Sequence, residues 1–154
     1  MEFRKEALTM ALYVAICLMA ALIAIPASAA DHTNVMALIW GVTLGLALAH
    51  WFAFRVSARM VGAGTVRSSD VELIGAQLLG ATGVAAVVSV GVLLLPESRE
   101  FEGAEFLLAA LISLIGFGVA RNAGASLLRA VLYSLFVLVC AVTIAVLKNL
   151  LAGH

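Results

Sequence analysis

Val35 to Phe54 reads VMALIWGVTLGLALAHWFAF, an apolar run broken only by one threonine and one histidine, with no acid, lysine or arginine. About 20 residues is the length an α-helix needs to cross a hydrocarbon layer roughly 30 Å thick. A helix of this length on a water-soluble domain would carry a polar stripe, and this run has none. Four further stretches have the same character: Ala7 to Ala29, Val71 to Leu95, Gly103 to Ala120 and Ser126 to Leu151. Within each the apolar character is continuous, not alternating over segments of ~10 residues as in a membrane barrel. The chain therefore reads as all-α: a polytopic transmembrane helix bundle of about five spans, forming a single domain over residues 1–154.

Composition points the same way. The hydrophobic fraction is 64%, against roughly 45–50% in soluble domains, so the lipid bilayer is the expected surrounding. Nine basic residues balance nine acidic ones. That balance leaves no overall basic field to hold a nucleic acid. Arginine outnumbers lysine, and Ala, Val, Leu and Gly dominate, a bias that suits a GC-rich bacterium. The expected location is the bacterial cytoplasmic (inner) membrane, multi-pass.

Orientation follows from the cations at the span ends. With the N-terminus inside, Arg4, Lys5, Arg55, Arg59, Arg67, Arg121 and Arg129 fall on the cytoplasmic side, and only Arg99 and Lys148 fall outside. The C-terminus is then outside. The stretch from Pro96 to Glu105 reads as an acidic outer loop, with Glu97, Glu100, Glu102 and Glu105. Its carboxylates read as a solvated face in preference to an oxygen-ligand cation site. The first span has a basic start and a small-residue stretch, Ala27-Ser28-Ala29-Ala30, after Pro26, as in a secretory signal. Its apolar run is longer than the 7–15 residues usual for such a core, so a retained helix is expected.

Boundary residues supply caps. Asp31, Thr33 and Asn34 offer side-chain oxygens before the second span. Gly62 and Gly64 end its cytoplasmic extension. Ser69-Asp70-Val71-Glu72 has the form of a capping box for the third span. Pro96 stops that span. Asn122 and Gly124 can close the fourth, and Ser126 can cap the fifth, making the last two spans an antiparallel hairpin.

Two patterns bear on function. Gly41, Gly45, Ala49 and Ala53 recur every four residues, the spacing at which small side chains let helices approach closely in lipid. Ala76, Gly80 and Gly83 repeat the theme on the third span, and Ala109, Ser113, Gly116 and Ala120 on the fourth. Thr43, His50 and Ser57 are seven residues apart and share one helical face. Polar groups at membrane depth usually face a bundle interior or water. Gln77 lies toward the same cytoplasmic side and is placed to bond to His50 or Ser57.

The absences narrow the classes. No acid sits at the centre of a span, which disfavours a carboxylate-dependent proton-coupled transporter. His32, His50 and His154 are too scattered to ligate a haem or a catalytic zinc. Gly62 to Arg67 lacks the lysine of a phosphate-binding loop. Cys17 and Cys140 each lie within an apolar run and read as small buried hydrophobes. No metal ligand set, cofactor or catalytic residue is nominated, and an enzyme is disfavoured.

The stretch Ala49-His50-Trp51-Phe52-Ala53-Phe54-Arg55 and the closing stretch Arg121-Asn122-Ala123-Gly124-Ala125-Ser126, leading to Leu147-Lys148-Asn149-Leu150-Leu151, resemble small uncharacterised bacterial integral membrane proteins. The shared features are an Ala-His motif and an Arg-x-Ala-Gly-Ala-Ser helix start. The resemblance implies an integral membrane fold and no particular activity. The leading expectation is a membrane protein that acts by self-association as a homo-oligomer, or as the partner of another membrane protein. The alternative is a homo-oligomeric ion or small-solute channel lined by Thr43, His50 and Ser57.

Overall fold

The computed structural model describes residues 2–26, 29, 33–61 and 68–152. Asp31, His32, Gly62 to Arg67 and His154 lie outside the described residues, as do Ala27, Ser28 and Ala30 and the side chain of Ser69. Five long helices follow one another: α1 (Glu2–Ile23), α2 (Val35–Val61), α3 (Ser68–Leu93), α4 (Glu100–Asn122) and α5 (Leu127–Ala152). All five are long and apolar enough to cross a membrane, so the protein is a multi-pass helical membrane protein in its architecture. No strand occurs among the described residues.

The boundaries differ from the hydropathy runs for local reasons. α1 stops at Ile23, short of Ala29, because Pro26 disfavours helical backbone at Ile25 and the chain turns through Ala24 and Ile25. α2 opens on Asn34, whose Oδ1 accepts the Ala37 amide at 2.9 Å, an N-cap bond. It then runs on to Val61, well past Phe54. α3 gives way to tightened turn bonds at Leu94 and Leu95 before Pro96. The acidic stretch is not a loop. A single 3-10 turn, Glu97–Arg99, feeds straight into α4. Glu100 and Glu102 occupy the first turn of that helix, where the dipole favours negative charge.

α4 and α5 form the expected hairpin. Gly124 has φ +79, the left-handed conformation that glycine adopts without a Cβ penalty. Its N–H donates to Arg121 O at 3.0 Å, and the Ala125 N–H reaches back to Ala120 O at 3.1 Å. Together these bonds are a Schellman C-cap. The helices then pack through small groups. Ser134 Oγ donates to the Ser113 carbonyl at 2.6 Å, Gly116 sits against Ser134 and Val137, and Ala120 is buried.

α1 is the hub: it touches each of the other four helices. Val14, Ala15, Leu18 and Leu22 are fully buried along it. Its closest neighbour is α3, and the reason is Gly80. A Cβ there would collide with the backbone carbonyl of Ala7, so only glycine permits this approach. Ala76, Ala81, Val84 and Val88 continue the same buried face of α3. α2 packs through Val35, Ile39, Thr43 and Ala47, one residue per turn.

The other expected contacts on α2 are not made within the chain. Gly41, Gly45, Ala49 and Ala53 are all exposed. A Cβ at Gly41 or Gly45 would have nothing within 4 Å, and the same holds for Gly83. The physical reason is that α2 meets the bundle on the opposite stripe, because lipid tolerates glycine and leucine on its side alike. α5 is the outermost helix, with only 11% of its apolar window buried.

Candidate functional site

The polar residues of α1, α2 and α3 converge at one end of the bundle. On α1, Glu6, Thr9 and Tyr13 follow at three and four residues and so share a face. α3 brings Gln77 against that face: its Nε2 donates to Glu6 Oε2 at 3.2 Å. α2 brings His50. These five side chains, with Met10, line a cavity of about 220 Å³. Tyr13 is 49% exposed and His50 is exposed, so the cavity is a groove opening on the outside of the bundle.

The middle residues of the three candidate spans are Tyr13, Leu46 and Thr82. At a rise of 1.5 Å per residue, Glu6 lies about 10 Å along the axis from Tyr13, His50 about 6 Å from Leu46 and Gln77 about 7 Å from Thr82. Glu6 and Gln77 precede the middle of their helices and His50 follows the middle of its own, which is why antiparallel neighbours bring the three to the same end.

The groove's hydrogen-bonding groups surround one carboxylate, Glu6. One Gln77 N–H is taken by Glu6. The Thr9 hydroxyl donates to the Lys5 carbonyl at 2.9 Å. What remains facing the groove is the second carboxylate oxygen of Glu6, the lone pairs of Thr9 and Tyr13 and the imidazole of His50, with the Tyr13 O–H and the second Gln77 N–H as donors. Among the described residues no basic side chain pairs with Glu6. Arg55, the nearest cation along α2, lies instead over the Trp51 ring, 5.1 Å from its centroid.

The expected polar face is thus divided. Thr43 is fully buried against its own chain and its Oγ1 has no hydrogen-bond partner among the described residues. His50 lines the groove, and Ser57 is exposed beyond it. Gln77 pairs with Glu6, not with His50 or Ser57. Glu6 lies at the start of α1, just before the apolar run that begins at Ala7, and was not among the expected site residues. Its signal was the Glu6, Thr9, Tyr13 spacing, visible in the sequence but meaningful only once α3 is known to lie alongside.

A second cavity of about 320 Å³ lies at the far end, between α3 and α4, lined by Leu95, Arg99, Glu102 and Phe106 among others. Both cysteines are free and half-buried. Among the described residues no three His, Cys, Asp or Glu side chains gather as a metal-binding group would require. Comparison with protein-family models, with curated proteins and with solved structures gives no match.

Proposed function

We propose that this is a multi-pass protein of the bacterial inner membrane that acts by associating with a second copy of itself. The observation that carries the reading is the stripe Gly41, Gly45, Ala49 and Ala53. It faces away from the chain's own core, and its glycines have open space where a side chain would stand. Small residues at four-residue spacing bring helix backbones together in lipid, and among the described residues these four stay exposed. A closed two-fold pairing of α2 with its counterpart would place the stripe of each copy on the other. The buried position of Thr43 removes one of the three side chains on which a pore along this helix would depend.

Native mass spectrometry in nanodiscs tests the reading, with Gly45→Leu as the decisive variant. Because Gly45 has free space around it within the chain, the substitution leaves the single chain's melting temperature unchanged and lowers the oligomer fraction. The nearby exposed Leu44→Ala, which removes bulk and adds none, leaves the oligomer in place. A monomer under every condition, or an oligomer indifferent to Gly45→Leu, rejects the proposal.

A further inference from the structure

Glu6 poses a problem that self-association does not solve. A half-buried carboxylate at the start of an apolar span loses part of its solvation and needs compensation. Gln77 supplies one hydrogen bond, and among the described residues no cation forms an ion pair with Glu6. The carboxylate instead borders an open groove of about 220 Å³, room for a small polar ligand. We propose that this groove binds a protonated primary amine, with Glu6 as its counter-charge and Gln77 positioning the carboxylate.

The lining selects that chemistry. An ammonium group brings three donors and no acceptor. The groove answers with the free Glu6 oxygen, Thr9 Oγ1, Tyr13 Oη and the basic nitrogen of His50. An anion would meet the Glu6 carboxylate, the one acid on the lining, with the Thr9 proton and one Gln77 proton already committed. Met10 and the ring of Tyr13 provide an apolar wall for the carbon next to the nitrogen.

Two sources can present a primary amine here: the headgroup of an amine-bearing phospholipid, or a small soluble amine. The groove opens on the lipid-facing surface of the bundle. Arg4 and Lys5, exposed on the turn before Glu6, could take the phosphate that accompanies the first kind.

The inference stands apart from the association reading, because α2 offers the groove and the small-residue stripe on different faces. The test uses the full-length protein in nanodiscs holding equal fractions of phosphatidylethanolamine and phosphatidylglycerol. Native mass spectrometry should show retained ethanolamine lipid in about tenfold preference, the scale of one charge-assisted interaction. Glu6→Gln, which keeps an acceptor for Gln77 and removes the charge, abolishes the preference. Glu102→Gln, at the far end, does not. N-acetylated phosphatidylethanolamine, which has lost the positive charge, should show no preference over phosphatidylglycerol with the unaltered protein, a control that needs no variant to fold. In phosphatidylglycerol alone, millimolar ethanolamine that raises the melting temperature of the unaltered protein but not of Glu6→Gln identifies the soluble source. Absence of both the lipid preference and the ethanolamine response overturns the proposal, as does persistence of either in Glu6→Gln.

Discussion

The Gln77 amide of α3 donates to the Glu6 carboxylate of α1 at 3.2 Å, joining residues 71 positions apart in the chain. In lipid such a bond has few competitors, yet measured interhelical bonds contribute only about 0.5–2 kcal/mol. A double-mutant cycle of Glu6→Ala and Gln77→Leu, each of which removes the bond, followed by thermal unfolding in detergent, should return a coupling of about 1 kcal/mol. Strict additivity of the two losses would show that the bond contributes nothing to stability.

Gly80 and Gly83 lie one turn apart on α3, but only Gly80 meets another backbone. Gly80→Val should lower stability by about 3 kcal/mol or more, since α1 has to move aside to admit the side chain. Gly83→Val should change it by less than about 0.5 kcal/mol, because that position is open. Equal losses would contradict the close α1–α3 crossing.

Gly124 closes α4 with φ +79. Gly124→Ala puts a Cβ into left-handed backbone, at a cost of about 1–2 kcal/mol. Gly118→Ala, in open space on the helical part of α4, should be neutral or mildly stabilising. The comparison is read as two melting temperatures, and the order Gly124→Ala below Gly118→Ala is the expected result.

The cation distribution predicts a cytoplasmic N-terminus and an external C-terminus. A periplasm-active reporter fused after residue 154 should be active. A cytoplasm-active reporter inserted between residues 62 and 67 should be active as well. Activity of the C-terminal fusion only in the cytoplasm would reverse the orientation or change the number of crossings.

The five helices were legible because continuous apolar runs of the right length leave lipid as the only fitting solvent. The α4–α5 hairpin was legible too, since Gly124 marks a turn by its own stereochemistry. Which helix stands at the centre was not. α1 is apolar on nearly every side, so its sequence carries no periodic stripe to say where its neighbours are. The small-residue pattern was equally ambiguous: on α3 it marks a real crossing at Ala76 and Gly80, and on α2 it faces outward. In water an exposed stripe and a buried one differ in polarity, and in lipid they do not. The groove was half legible. His50 and Gln77 stood out as polar residues in apolar helices, but Glu6 looked like part of a charged helix start until α3 placed an amide beside it.

α1 emerges from the ribosome before the other four helices, yet it touches every one of them. Its contacts with α5 can form only after the last span has been synthesised and inserted. Until then Val14, Leu18 and Leu22, fully buried in the finished bundle, are covered by lipid or by provisional neighbours. Assembly therefore proceeds by late arrival: a first helix waits in the bilayer and the final one completes its surroundings. Such a topology leaves the α1–α5 contacts until α5 has been made. A chain stalled after α4 would hold its first helix open on one side, a ready target for quality-control proteases of the membrane.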